Sequence, residues 1–231
     1  MALSIGDVDA LAARVRPTSA QSDRLLPVLG PLAPLLPGGG LQRGTVVAVD
    51  SATDNLGPRG GPAEPGAGGA TTLAFALLAA ASATGSWCAA VGTTDPGLVS
   101  VAEIGVDLVR LALVPHPGRA WAEATASLIE GMDVVLLFLP WPARPGVARR
   151  LVARARERQA VLIVVASRPW WPEGPEVRLT VTAGSWEGVG LGHGHLRGRR
   201  VEVLSAGRRG ASRPQVAALW MPGPTGAVVP A

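Results

Sequence analysis

The sequence predicts an α/β protein: a mostly parallel sheet flanked by helices and extended at its C-terminal end by antiparallel strands. Three observations carry this. Between residues 45 and 167, short apolar, β-branched runs alternate with helix-like segments, the grammar of strand–helix–strand units that build a parallel sheet. Several of these runs, "DVVLLFL" (133–139) above all, lack the polar alternation of a strand with one wet face and so read as covered on both sides. After "RPWWPEGPE" three strand-like segments follow with no helix between them, which calls for antiparallel pairing.

Taken in order, residues 7–15, "DVDALAARV", read as a short helix with Val8, Leu11, Ala12 and Val15 on one face. Residues 25–44 carry four prolines and a glycine triplet and form a loop-rich lead-in. "TVVAVD" (45–50) is a buried strand, residues 51–70 a long Gly/Pro loop, and residues 71–83 a helix stopped by Gly85. Strands follow at 86–92 and 108–114, separated by the helix-like "PGLVSVAEIG". A helix over 118–131, the strand 133–139, a helix over 146–159 and the strand 160–167 complete the alternating part. The helix 146–159 presents Val147, Leu151, Val152 and Ala155 on its apolar face and sends most of its arginines outward. "VRLTVTA", "RRVEVLSAG" and "QVAALWM" are the terminal strands, and residues 222–231 read as a loose tail. The expected division is a helical lead-in over 1–24, a core over 25–213, and a terminal strand with its tail over 214–231.

Composition narrows the function classes. About half of the 231 residues are apolar, enough for a sizeable core, yet no apolar run reaches the ~18–20 residues of a membrane helix. Asp7 and Asp9 stand where an export signal carries basic charge. The single Cys88 excludes an intramolecular disulfide and a cysteine-based zinc site. These point to the cytoplasm. All 21 basic residues are arginine, so no lysine exists to fill a phosphate site. Residues 1–140 carry 7 Arg against 12 Asp and Glu, a net of −5, whereas residues 141–231 carry 14 Arg against 5 Glu, a net of +9. Such an asymmetry fits a preferred anionic partner; solvated arginines standing in for lysines are the plain alternative.

The stretch "PGAGGATTLAFALLAA" (65–80) has the glycines and paired threonines of a phosphate-binding loop opening a helix. Gly66, Gly68 and Gly69 would supply the cradle, and Thr71 or Thr72 the hydroxyl, but Ala70 stands where the lysine belongs. Phe138 stands where a strand-end acid would complete the magnesium shell, and Thr94, with Asp95 one residue on, near the place of a water-activating carboxylate. Two of three catalytic elements are thus apolar. The expectation is a vestigial loop with no cofactor, no metal and no catalysis.

With these residues in view, the chain resembles the RecA-type recombinase core. "LPGGGLQRGTVVAVD" is similar to the strand leading to that family's phosphate loop, "PGAGGATTL" to the loop, "AEIGVDLVRL" to the passage after the second strand, "MDVVLLFLP" to the acid-bearing strand and "AVLIVVASR" to the next. The resemblance covers roughly residues 25–205. Within that superfamily it most resembles the degenerate ImuA-type accessory proteins of mutagenesis cassettes, actinobacterial ImuA-prime branch, on "GHGHLRGRRVEVLSAGRRGASRPQVAALWMPG". The resemblance implies a RecA-like core and a non-catalytic adapter in SOS-induced error-prone translesion synthesis. It implies an ImuB-type inactive Y-family polymerase homologue as partner, with an error-prone C-family polymerase, RecA and DNA as further candidates, no membrane, and nucleoid association through partners. The only segment where the family's second DNA-binding loop would lie is "PWWPEGPE", short and proline-stiffened. A DNA-dependent ATPase using an arginine for the missing lysine, or a single-stranded DNA-binding module independent of nucleotide, are the alternatives.

Three other constellations stand out. Arg197, Arg199, Arg200, Arg208, Arg209 and Arg213, with Trp220, form the expected partner surface, for phosphate or an acidic protein; a solvated hairpin is the plain alternative. Trp141, Trp170 and Trp171 lie beside prolines at the ends of two core strands, as binding anchors or, on the favoured reading, as a cap on the core. His193 and His195 at i, i+2 share one face of a strand, a metal pair or, as favoured, part of a turn leading into the strand; His116 is the chain's other histidine.

Overall fold

In the computed structural model, residues 24–52, 67–93, 95–139, 141–166, 170–189, 194–208 and 213–231 are described. They form, in chain order, β1 (Leu25–Leu26), β2 (Leu41–Gln42), β3 (Val46–Ser51), α1 (Ala70–Ala83), β4 (Cys88–Val91), α2 (Leu98–Glu103), β5 (Leu111–Val114), α3 (Trp121–Ile129), β6 (Val134–Phe138), α4 (Pro145–Arg158), β7 (Val161–Val165), β8 (Val177–Val189), β9 (Gly194–Gly207), β10 (Gln215–Trp220) and β11 (Val229–Pro230). The alternating elements fall close to where the sequence puts them. The strand expected at 108–114 is shorter because residues 108–110 form a 3-10 turn, N-capped by Asp107 through the Val109 N–H. The helix expected over 7–15 lies outside the described residues, as does most of the loop 51–70.

β1 and β2 pair separately; the other nine strands form one sheet in the order β11-β10-β9-β8-β3-β7-β6-β4-β5. From β8 to β5 every neighbour is parallel, and from β8 outward to β11 every neighbour is antiparallel. The chain leaves β3, passes β7 and β6, and returns at β4. That crossover makes the C-terminal end of β3 the crevice where ligands bind in open α/β sheets.

Alternation along β6 builds two cores. Val134, Leu136 and Phe138 face one layer; Val135, Leu137 and Leu139 face the other. The first layer holds α1, α2 and the proline-rich leucines Leu32, Leu35 and Leu36. α1 is apolar almost all round and buried almost all round, with Leu73, Phe75, Leu77 and Leu78 at 1% exposure or less. The second layer holds α3 and α4, which bury Trp121, Thr125 and Ile129, and Ala148, Leu151 and Ala155, at helical spacing.

The C-terminal end departs from expectation. Residues 222–231 are not a loose tail, and no boundary at 213 separates them from the core. β10 and β11 are strands of the main sheet, and the chain turns between them through a cis Met221–Pro222 bond. Leu219, Met221 and Val228 are buried in the α1 layer. The Gly223 N–H donates to the Ala227 carbonyl at 2.8 Å, and Gly226 packs against the Glu103 side chain of α2. The Pro/Gly composition suggested a loose end, but the three apolar residues anchor it. Among the described residues, no helix is long and apolar enough to cross a membrane.

Candidate functional site

The glycine turn sits where the sequence puts it, between β3 and α1. Gly68 and Gly69 take left-handed φ angles of 70° and 102°, so residues with side chains are disfavoured at both. Gly66 lies outside the described residues. Ala70 is fully buried, and Thr71 and Thr72 are partly exposed beside the turn. The turn already holds a cation from far along the chain. The Arg199 Nη2 donates to the Gly68 carbonyl at 2.7 Å. A Cβ placed on Gly69 would lie 2.9 Å from Arg199 Nη1. The guanidinium also lies over the Trp186 ring, 5.7 Å from its centroid.

At the neighbouring strand end, Phe138 is 3% exposed and packs on Phe75 of α1, with ring centroids 6.1 Å apart. These are the only two phenylalanines in the chain. Gly92 at the end of β4 lies against the Phe138 carbonyl so closely that a Cβ there would collide with it. Asp50 of β3 is buried, and its Oδ2 accepts a 2.7 Å bond from Arg178 Nη1 of β8. Thr94 lies outside the described residues; the exposed Asp95 accepts from the Gly97 N–H at 3.4 Å. A magnesium–nucleotide complex does not fit these residues: Ala70 presents a buried methyl, Phe138 a buried ring, and a guanidinium rests on the turn.

The described members of the expected arginine surface do not all face one way. β9 alternates, so Arg197 and Arg199 face the α1 side while Arg200 faces the opposite side. Arg197, Thr71 and Trp186 line a pocket of about 510 Å³ closed by the 222–226 turn. Arg200 pairs in register with Trp220, which is half-buried with its ring over Gly198. Arg208, nine residues beyond Arg199 and so roughly 30 Å along the strand, packs on Gly174, and its N–H donates to the Glu176 carbonyl at 3.0 Å. Arg213 is exposed and Arg209 lies outside the described residues. His195 and His116 are exposed, and His193 lies outside the described residues. Among the described residues no group of three possible ligands could hold a metal.

The tryptophans divide. Trp171 is 7% exposed and Trp170 half-buried, both packed on the α3–α4 layer as a cap, whereas Trp141 is 44% exposed. Trp141 borders a cleft of about 340 Å³ with Arg119, Arg144 and Arg150, where α3 and α4 begin. Most charged arginines of α4 are matched: Arg149 to Glu173 at 3.7 Å, and Arg154 and Arg158 to Glu130 at 3.0 and 2.6 Å. Arg119, Arg144 and Arg150 make no ion pair among the described residues. This cleft went unread in the sequence. Its signal was present: Arg119 and Arg144 each stand just ahead of a helix that follows a parallel strand, so both must reach the same sheet edge.

Cys88 of β4 is buried, and its thiol is pushed up to about 12, first by burial and then by the nearby Asp133 carboxylate. Such a thiol is a core side chain, not a nucleophile.

Residues 58–173 match the family described as the MT3502 N-terminal domain. An uncharacterised protein of Mycobacterium tuberculosis, Rv3395c, is 36% identical over 148 residues, covering 61% of this chain and 71% of its own. The family match includes α1, Phe138 and the α3–α4 cleft, and ends before β8.

Proposed function

Because the chain belongs to the MT3502 N-terminal domain family, we propose that it is a RecA-like accessory protein of the ImuA-prime type that no longer hydrolyses ATP. It acts as an adapter in SOS-induced error-prone translesion synthesis, joining an ImuB-type inactive polymerase homologue to an error-prone C-family polymerase. One observation carries the loss of catalysis. Phe75 and Phe138 pack where a metal shell would need oxygen ligands, and a site without them cannot neutralise the charge of a transferring phosphoryl group. The strand order supports the RecA-like reading, since the glycine turn follows the strand at the crossover. An adapter role is what such a scaffold retains once its chemistry is gone.

Arg199 favours a second reading in one respect: it brings a cation to a turn that lacks lysine. It donates to a carbonyl, however, and occupies the cradle itself, as a plug would. The two readings separate in a steady-state ATPase assay with single-stranded DNA. The adapter reading expects no turnover in wild type or in Arg199→Ala, and a variant destabilised by about 1–2 kcal/mol through the lost charge-assisted bond, seen as a lower melting temperature. Turnover in wild type that Arg199→Ala abolishes would establish an arginine-dependent ATPase instead. Co-purification with the two polymerases tests the adapter role directly, and failure to retain either one would overturn it.

A further inference from the structure

We propose that the groove between α3 and α4 is the docking site for an acidic amphipathic helix of a protein partner, its acidic end seated at Arg119, Arg144 and Arg150 against Trp141. This rests on the adapter reading and names the partner chemistry that reading lacks. The cleft at the sheet edge runs into a second cavity of about 370 Å³ between the two helices, and Ala122, Glu123, Val147 and Arg150 line both. The floor of this second cavity is apolar, from Ala122, Ala126, Val147 and Leu151.

α3 and α4 each lead into a parallel strand, β6 and β7, so they run side by side with their N-termini at one edge. α3 has nine residues, which gives the groove a length of roughly 13 Å, two to three turns of a docked helix. Small floor residues admit apolar side chains repeating at i, i+3 or i+4, and i+7.

Charge then sets the orientation and the ligand class. At the sheet-edge end, three arginines without ion-pair partners among the described residues meet one carboxylate, Glu123. The N-terminal dipoles of both helices add to the same sign. Farther along the groove the sign balances, because Glu157 lines it and Arg154 is committed to Glu130. A nucleic-acid strand needs basic groups along its whole track to hold successive phosphates. Here positive charge is confined to one end, which suits a segment with a cluster of carboxylates followed by apolar residues. Trp141, large and 44% exposed, is the expected anchor, since Trp and Arg dominate interface energetics.

The probe is a fluorescein-labelled peptide of about 16 residues, with glutamates in its first turn and leucines at helical spacing. Anisotropy is measured against the full chain, Trp141→Ala and Arg144→Glu/Arg150→Glu. A glutamine version of the peptide and labelled oligo-dT serve as controls. Wild type is expected to bind the acidic peptide, with affinity falling more than about tenfold in both variants and with the glutamine peptide. No binding by wild type, or binding unchanged in the variants, overturns the proposal. So does oligo-dT binding that the same variants abolish, which would make the cleft a nucleic-acid site. Co-purification of the polymerases with wild type reports on the adapter reading separately: if it fails, that reading falls and the peptide result still decides the cleft.

Discussion

Two places on one sheet edge treat their side chains in opposite ways. At the end of β3 and β6, Phe75, Phe138 and Arg199 turn inward: ring packs on ring, and the guanidinium packs on the glycine turn. On the opposite face, where α3 and α4 begin, Trp141, Arg119, Arg144 and Arg150 turn outward and make no ion pair among the described residues. The difference teaches where sequence change is tolerated and what it affects. Substitution on the filled side should act on folding; substitution on the open side should act on association and leave folding nearly untouched.

The largest expected effect comes from the C-terminal strands, which close the filled side. Removing residues 214–231 takes away Leu219, Met221 and Val228, all under 7% exposed. Each buried apolar side chain is worth roughly 1.5–3 kcal/mol, against a total stability of about 5–15 kcal/mol. The deletion also leaves β9 as a long bare edge. The truncated chain should lose its cooperative melting transition and aggregate. A truncation that melts within a few degrees of wild type would show that β10 and β11 are dispensable, and that binding lost on truncation can be read as loss of an interface. Next in size is Phe138→Asp, which puts an unpaired carboxylate against Phe75 in a dry layer, at a cost of roughly 3–5 kcal/mol. Arg144→Glu/Arg150→Glu on the open side should shift stability by less than about 0.5 kcal/mol. Equal melting temperatures for the Phe138 and arginine variants would erase the contrast.

The sequence made the parallel half readable because its strands are covered twice: β6 and β7 are continuous apolar runs, and the helices between them carry a clean stripe. The burial of Phe138 followed from the same pattern. What it hid were contacts between distant residues. Arg199 reaches Gly68 across 131 positions, and Arg178 reaches Asp50 across 128; no local pattern marks either. The split of the arginine group was available, since two-residue alternation alone separates Arg199 from Arg200, but composition made it look like one patch. The tail misled for a related reason. Its prolines and glycines describe the turn, whereas Met221 and Val228 decide whether the turn is held.

A change of pH tests whether the α1 layer is dry, using an accident of composition. The chain has no lysine and no tyrosine, so between the α-amino group and the arginines only Cys88 titrates in the alkaline range. Its thiol sits in that layer, raised from 9.0 to about 12 chiefly by burial and secondarily by Asp133. Above pH 9 the unfolded chain releases this proton while the folded chain keeps it, so the unfolded state binds fewer protons and stability falls as pH rises. The contribution is fully present below pH 9 and disappears as pH climbs through about 12. The slope approaches about 1.4 kcal/mol per pH unit within that window. Denaturant melts of wild type at intervals from neutral pH upward should be level to pH 9 and then decline, and Cys88→Ala should flatten the decline. A wild-type curve that stays level through the window would mean that water reaches the thiol, and the α1 side would then lose its claim to be the filled one.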